Sequence, residues 1–316
     1  MPFPKIDAIH FDQELPPGDL CQIFAGTHGT TPVIVKVARD KGNNDLVQAE
    51  TRMIRRLYPP GTRDEKFYRY LSRPVLGGVA GGLAYNVVER AQDSSGTAGS
   101  PDYVSLAQII EAYPGGIDFR DAAWMFKRAL VVLGWVHRKN VVHGNVTPPH
   151  LLVHPLGHGG KLIDWSYAVV VKPDPKAKPD TRHPKPEARP TAWARLLDEE
   201  DETASILEEE PGLAYIRAIT PKYGSSYPQE VMTKQPPTAA TDIYMLAHTF
   251  VRVLGGGPIS NTVPSSVPRA IRELLEECLR EEPARRPQDA WLLHDRFDEA
   301  LRRLVGDPVY RPFTMP

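Results

Sequence analysis

A single change of hydrophobic pattern, near residue 100, limits the folds open to this chain more than any other feature. Before it, apolar residues form short β-type runs, among them 19–25 and 33–38, with one helical segment between the runs. Beyond it, apolar residues recur at helical spacing over 104–112, 119–138, 239–254, 268–280 and 289–305. Five strands with one helix, followed by a helical half, predict an α+β fold with two lobes. Ligands favour the cleft between such lobes.

The same pattern predicts where the parts of the chain begin and end. We expect a β-rich lobe over residues 1–91, a polar hinge or linker over 92–102, a helical lobe over 103–305 and a tail over 306–316. Within the helical lobe, 172–211 is first basic and rich in proline and then acidic, so it predicts an inserted segment outside the core. A solvated insertion and a regulatory or docking segment are the two interpretations, and the first is the simpler.

Charge and cysteine content exclude several classes of protein. The 316 residues carry 38 Lys+Arg against 39 Asp+Glu, a net charge of -1, which gives no general attraction to nucleic acid or anionic membrane. No apolar run approaches the roughly 18 residues that span a bilayer, and the N-terminus lacks the apolar core of a signal peptide. Cys21 and Cys278 lie too far apart in sequence for a disulfide framework. A cytoplasmic protein is expected, with no nucleic-acid or membrane partner; its protein partners and its oligomeric state stay open.

Seven chemically distinctive positions stand in a fixed order along the chain: Lys36 in VIVK, Glu50 on the next helix, Asn145 in HGNVTPPHLL, Asp164 in DWS, Glu230 in YPQE, Asp242 in TDIYMLA and Arg286 in PARRP. Each short pattern is weak alone, but the collinear set is specific. Its order and spacing resembles the eukaryotic-type protein kinase family over about residues 10–300. The resemblance implies a bilobal fold with a small β-rich N-lobe and a larger helical C-lobe.

The resemblance also implies roles for single residues. In the family, the lysine matched by Lys36 holds the α- and β-phosphates of ATP and pairs with the helix glutamate matched by Glu50, while the aspartate matched by Asp164 binds Mg²⁺. ATP with Mg²⁺ is therefore the cofactor to consider. The implied nucleotide positions are Gly18, Ile23, Ile34, Lys36, Glu89, Ala91, Leu152 and Asp164. The implied structural positions are His143, Glu230, Asp242 and Arg286, with Glu230 and Arg286 as a buried ion pair.

Departures from the family pattern decide the predicted function. Asn145 stands where the family has the aspartate that accepts the proton of the substrate hydroxyl, and an amide cannot act as a general base near neutral pH. Loss of a base that contributes roughly 10²–10⁴-fold removes about 3–5 kcal/mol of transition-state stabilisation. Gly144 replaces the arginine that senses a phosphorylated activation segment, and Thr147 replaces a lysine beside the γ-phosphate.

The implied metal ligands are altered as well. His150 stands in place of the asparagine that holds a second Mg²⁺, so Asp164 and His150 are the candidate metal ligands. An imidazole is a poor ligand for Mg²⁺, although it suits transition metals. A histidine metal site with His154 and His158 is an alternative, but residues four apart on a strand and turn have no fixed common geometry.

The loop that would cover the phosphates is also changed. Pro16 and Pro17 bring no N–H group, Asp19 adds a negative charge, and only Gly18 survives of the family's three glycines. Ile34 replaces an alanine beside the adenine pocket and reduces the room for a purine. Together these changes predict weak or no ATP binding.

The sequence therefore predicts a pseudokinase, a kinase-like domain without a catalytic base that acts as a scaffold or allosteric regulator. One alternative is an atypical active Ser/Thr kinase-like phosphotransferase that uses Lys36 and Asp164, with Asp174 or Asp180 of the inserted segment replacing the base. Another is an interaction module in which residues 172–211 recruit a partner by charge.

Overall fold

A computed structural model describes residues 4–58, 67–92, 103–172, 215–259 and 261–316. Nearly all of the predicted linker and of the predicted insertion lies outside these residues, and so do Asp174 and Asp180. The four-part division of the chain therefore stays a prediction.

The N-terminal lobe is a five-stranded antiparallel sheet with one helix packed on it. Its strands, in the order β1-β2-β3-β5-β4 across the sheet, are β1 (Ile9–Leu15), β2 (Cys21–His28), β3 (Thr31–Ala38), β4 (Pro74–Ala80) and β5 (Leu83–Glu89). Strand β3 is rich in β-branched residues, and its residues are buried or half-buried, as those of a central strand should be. Strand β1, in contrast, is an edge strand with no fully buried residue, which explains why its sequence shows no distinct apolar run.

Helix α1 (Asn44–Leu57) crosses this sheet and faces β5 and β4. Its apolar face, including Met53 and Ile54, joins the same core cluster as residues of the C-terminal lobe. Asn43 precedes the helix, and Asp45 lies in its first turn. The helix that carries Glu50 is thus held by both lobes.

The C-terminal lobe is mainly helical. Its helices are α2 (Leu106–Ala112), α3 (Phe119–Arg138), α4 (Gln229–Met232), α5 (Ala239–Val253), α6 (Arg269–Cys278) and α7 (Ala290–Val305). Helices α3 and α5 form the centre, since nearly every residue of α5 is buried. The predicted helix over 104–112 begins only at Leu106: Ser105 caps it through a reciprocal bond pattern with Gln108.

Short strands at the top of this lobe carry the loops that face the cleft. They are β6 (Val104–Ser105), β7 (Val141–Val142), β8 (Leu151–Val153), β9 (Gly160–Leu162) and β10 (Val169–Val170). They form two small antiparallel sheets, β6-β8-β9 and β7-β10. The loop between β7 and β8 holds Asn145 and His150, and the loop after β9 holds Asp164.

Within the described parts of the chain, every helix is too short or too polar to cross a membrane.

Candidate functional site

Three charged residues from three elements meet between the lobes. Lys36 of β3 donates from Nζ to Glu50 Oε1 of α1 at 2.7 Å. The same ammonium lies 3.4 Å from Asp164 Oδ1, in the loop after β9. Lys36 is 9% exposed and Glu50 is 1% exposed, so the pair is shielded from water. Strand, helix and loop are therefore tied together by one buried ammonium group.

Mutual attraction stabilises the charged forms of this cluster. Burial alone lowers the pKa of Lys36, but the charges of Asp164 and Glu50 outweigh it and the pKa is raised above its usual value. Burial likewise raises the pKa of the Asp164 carboxyl, yet Lys36 and His150 more than compensate, and it lies well below its ordinary value. Asp164 is thus an ionised carboxylate at neutral pH.

Trp165, the residue after Asp164, is a buried apolar side chain that packs beside the charged cluster. It is 1% exposed, and its ring meets that of His143 edge to face, with centroids 4.5 Å apart. Its backbone N–H donates to Glu50 Oε1 at 3.2 Å, so the loop is joined directly to α1. Burial lowers the pKa of His143 to about 4, which keeps the ring neutral, and its Nε2 lies 3.1 Å from the carbonyl oxygen of Ile163.

The side chain of Asn145, in the loop between β7 and β8, is buried. It has no exposed surface. Its Oδ1 accepts from the hydroxyl of Tyr227 at 2.6 Å and from Thr147 Oγ1 at 3.3 Å. Its Nδ2 donates to Thr220 Oγ1 at 3.4 Å. The amide is therefore hydrogen-bonded at both ends by buried neighbours rather than presented to an incoming hydroxyl.

Tyr227 fixes this arrangement from the other side. Its hydroxyl also accepts from the backbone N–H of Thr220 at 2.9 Å. Burial raises the pKa of Tyr227 to about 12, so the hydroxyl remains a donor to Asn145 at any moderate pH. A phenol in this state is a poor proton acceptor near neutral pH.

The position before Asn145 has no room for a side chain. Gly144 adopts φ +73°, in the left-handed region that favours glycine. A Cβ there would lie 2.9 Å from both Ile216 Cγ1 and the carbonyl oxygen of Tyr167. A side chain at position 144, such as the arginine that the family resemblance implies, would therefore clash with these atoms.

His150 contacts Asp164 directly. Its Nε2 lies 3.0 Å from Asp164 Oδ2. Its Nδ1 lies 2.9 Å from the carbonyl oxygen of Asn145 and 3.0 Å from Thr147 Oγ1. Because the partner is an ionised carboxylate, Nε2 is the proton donor, whichever role Nδ1 takes.

These contacts do not fit a Mg²⁺ site. Both oxygens of Asp164 are engaged, Oδ2 by His150 and Oδ1 by Ser166 Oγ at 2.8 Å and by Lys36. Mg²⁺ needs oxygen ligands in near-octahedral geometry. Among the described residues, no group of three or more His, Cys, Asp or Glu side chains could hold a metal ion.

The alternative histidine cluster is wrong for these residues. His154 accepts at Nδ1 from the backbone N–H of Gly157 at 2.7 Å. His158 stacks on Trp124, with centroids 4.1 Å apart, and hydrogen-bonds the carbonyl of Arg311. The three histidines face different neighbours, because the strand and turn between them turn their side chains apart.

The nucleotide positions implied by the family resemblance lie on several strands and loops. Ile23 lies opposite Lys36 in the sheet register, and Ile34 packs against the core cluster that spans both lobes. Gly18 uses its N–H within the loop, donating to the carbonyl of Cys21 at 3.1 Å. With Pro16 and Pro17 beside it, this loop presents no N–H group from residues 16–18 to a phosphate.

The other nucleotide positions that the resemblance implies are Glu89, Ala91 and Leu152, at the end of β5, just beyond it and on β8. Glu89 closes β5 and forms an ion pair with Arg73 at 3.3 Å, while Ala91 follows it, half-buried. Leu152 of β8 is half-buried and pairs in register with Lys161. The structure thus brings Lys36, Glu50 and Asp164 into contact, whereas Glu89 and Ala91 lie at the strand end.

The structural positions form two buried polar networks. Asp242, at the start of α5, accepts the backbone N–H groups of His143 and Gly144, each at 2.8 Å. Arg286 binds Glu230 through both guanidinium ends, at 2.6 and 3.2 Å, and neither side chain is more than 5% exposed. The Asp242 contacts fix the loop that carries Asn145.

Sequence reasoning missed the residues that close over Asn145. Thr220, Tyr227 and Ile216 all follow the predicted insertion, in a stretch with no regular hydrophobic period. The only signal was the aromatic residue of YPQE, three positions before Glu230. Its contact with Asn145 joins residues 82 apart in sequence, which no local pattern reports.

Solved structures show which fold this is. The PknI kinase domain of Mycobacterium tuberculosis, solved as a double mutant, matches with a TM-score of 0.58 and 12% identity, covering 94% of this chain and 96% of that one. The PF14_0431 kinase domain matches with a TM-score of 0.61 and 12% identity, covering 92% and 95%. No family model and no curated protein matches the sequence.

The predicted fold class is therefore confirmed. The chain has the two-lobed α+β fold of protein kinase domains, with a β-rich N-lobe and a helical C-lobe. At 12% identity the likeness concerns the fold alone, so its activity has to be argued from the cleft.

Proposed function

We propose that this chain is a pseudokinase: it keeps the kinase architecture but transfers no phosphoryl group, and it acts by binding other proteins as a scaffold or allosteric regulator. The observation that carries the proposal is the burial of Asn145. A residue that serves as a base must lie within hydrogen-bond reach of the substrate proton. Asn145 is an amide, has no exposed surface and is bonded to Tyr227, Thr220 and Thr147.

Two further features support the proposal. The altered loop at residues 16–19 offers few N–H groups and an added carboxylate where phosphates would lie. The space beside Gly144 is filled, so the usual arginine sensor of a phosphorylated segment is missing. Both changes remove control or binding of phosphate, while the buried ion pair of Glu230 and Arg286 keeps the lobe folded.

One observation favours the alternative of an atypical active phosphotransferase. Lys36, Glu50 and Asp164 form a continuous charged cluster of the kind an active kinase uses. Phosphoryl transfer depends mainly on positioning and electrostatics, so a missing base alone need not abolish it. The two functions therefore have to be separated by experiment.

The test is transfer of labelled γ-phosphate from ATP, in the presence of Mg²⁺, to the protein itself and to a generic substrate. We expect no transfer above that of Lys36→Ala, which removes the ammonium of the cluster. Transfer by the wild type that both Lys36→Ala and Asp164→Ala abolish would overturn the proposal and support the alternative.

Nucleotide binding is tested separately by thermal unfolding with increasing ATP. A ligand that binds only the native protein raises its melting temperature. We expect ATP to raise the melting temperature less than it does for a kinase domain that binds ATP. The Lys36→Ala protein is the control, because only binding in the cleft should depend on the Lys36 ammonium. A large increase in melting temperature that is lost in Lys36→Ala would mean that the cleft binds ATP.

A further inference from the structure

Both oxygens of the Asp164 carboxylate already have partners within the protein. Its Oδ1 receives Ser166 Oγ at 2.8 Å and lies 3.4 Å from Lys36 Nζ, and its Oδ2 lies 3.0 Å from His150 Nε2. Asp164 also has φ +66°, a left-handed conformation that is uncommon outside glycine. The surrounding bonds therefore hold this carboxylate in one orientation.

His150 is held just as firmly. Its side chain is 13% exposed, and its Nδ1 is anchored by the carbonyl of Asn145 and the hydroxyl of Thr147. The ring cannot turn away from Asp164 without breaking these contacts. An N–H donor thus occupies the direction from which a cation would approach Oδ2.

We propose that His150 takes the place of a divalent cation, so that the cleft works without a metal. The inference concerns the same cleft as the proposed function and deepens it, but it depends on the contacts of Asp164 and not on whether phosphate is transferred. The imidazole N–H supplies a hydrogen-bond donor and the Lys36 ammonium supplies a positive charge, so both oxygens of the carboxylate have partners. A hard cation would have to displace both donors and accept nitrogen in place of oxygen.

This arrangement also gives the cluster a structural task. Lys36 and Glu50 belong to the N-terminal lobe, whereas Asp164 and His150 belong to the C-terminal lobe. The lobes are therefore linked by the ion pair of Lys36 with Asp164 and by the bond from the Trp165 N–H to Glu50, and this link needs no bound ligand. The cleft is a joint between the lobes.

The experiment uses Tb³⁺, a hard oxygen-seeking ion whose luminescence is sensitised by nearby tryptophan, here Trp165. We compare the wild-type chain with Asp164→Asn. Any Tb³⁺ signal that remains in Asp164→Asn comes from binding elsewhere on the chain. The wild type should give no more signal than Asp164→Asn. His150→Asn, which replaces the N–H donor with an amide oxygen, should bind Tb³⁺ at least tenfold more tightly, and adding Asp164→Asn to it should abolish the gain.

His154→Asn is the matched control, because it removes another buried histidine of the same region without touching Asp164, and it should resemble the wild type. Circular dichroism establishes that each variant is folded, and His150→Gln is the second variant should His150→Asn fail to fold. A wild-type signal that Asp164→Asn removes would overturn the inference. So would folded His150→Asn and His150→Gln proteins that gain nothing. Wild-type binding without phosphate transfer would leave the proposed function standing.

Discussion

Two buried polar regions of the C-terminal lobe invite comparison: the network of Arg286 and Glu230, and the network around Asn145. Both are shielded from water, and both are densely hydrogen-bonded. In the family resemblance, Glu230 and Arg286 are positions where the sequence keeps the family's residues. Asn145 is a position where it departs from them. The comparison shows that a kinase-like fold can satisfy the hydrogen-bonding groups of the Asn145 side chain with neighbouring side chains of the protein itself.

The physical reason is that a buried polar group must find a partner. In a working site, substrate or metal would supply some of these partners. Here Tyr227 and Thr220 supply those of Asn145, and His150 supplies one for Asp164. A polar group whose partners come from the protein has fewer positions left for a substrate or a metal, which is the basis of the proposed function.

The largest expected effect lies in the first region. Arg286→Ala leaves Glu230 as an unpaired buried carboxylate and should lower the free energy of unfolding by about 3–5 kcal/mol. Urea unfolding followed by circular dichroism measures it. Arg286→Lys, which keeps the charge but not the two-ended geometry, should lose less. A loss below 1 kcal/mol for Arg286→Ala would show that the network is not the framework described above.

The second-largest effect should be a decrease in the free energy of unfolding as the pH falls, caused by His143 beside the cleft. The pKa of His143 is about 4 in the native protein, against 6.5 ordinarily, because the ring is buried. The unfolded chain takes up a proton as pH falls below 6.5 and the native ring does not, so stability decreases. At about 1.4 kcal/mol per pKa unit, His143 should contribute a loss of roughly 2 kcal/mol between pH 7 and pH 5.

The contribution of His143 is isolated by its substitution. His248 is also buried, with its pKa lowered to about 4, and it adds a similar acid sensitivity. Urea unfolding of His143→Gln should therefore show a pH dependence smaller than that of the wild type by roughly 2 kcal/mol over this interval. Equal pH dependence in the two proteins would contradict a neutral, buried His143.

Tyr227→Phe probes the second region with a smaller effect. The change removes the hydroxyl that donates to Asn145 and accepts from the N–H of Thr220. Two buried polar groups lose a partner, and the free energy of unfolding should decrease by about 1–2 kcal/mol. Tyr310→Phe is the control, because its exposed hydroxyl bonds only one carbonyl, and it should change stability by less than about 0.5 kcal/mol.

The smallest effect is expected at the surface. Arg217, just after the predicted insertion, forms an ion pair with Asp45 of α1, and both side chains are about half exposed. Such pairs contribute about 0–1 kcal/mol. A double-mutant cycle with Arg217→Gln and Asp45→Asn measures the coupling. A value above 2 kcal/mol would mean that this pair, and not the buried cluster, holds α1.

Much of the fold was predictable from the sequence because its signals are local. The helix over 119–138 has the predicted bounds, since its apolar face repeats regularly and Asp118 caps it. Strand β1 gave no distinct signal because an edge strand buries little. The order of Lys36, Glu50 and Asp164 predicted the family resemblance because the fold fixes the order of these positions along the chain.

The closure of the site was not predictable in the same way. The sequence identified the amide at Asn145 and the imidazole at His150, but both were considered only as replacements for family residues. Their partners depend on three-dimensional contacts between distant segments, such as that of Tyr227 with Asn145. The sequence therefore predicted which groups were lost and not that neighbours had taken their hydrogen bonds.

In the proposed pseudokinase, position 145 is shielded from solvent and from substrate in the native protein. Asn145→Cys makes this measurable as the rate of thiol labelling under native conditions, against the background of Cys21 and Cys278, which are themselves buried. Leu292→Cys, at a position 53% exposed, is the matched accessible control. We predict that Asn145→Cys is labelled at least a hundredfold more slowly than Leu292→Cys and only as the protein unfolds in urea. Labelling of both thiols at similar rates in the native protein would contradict the account.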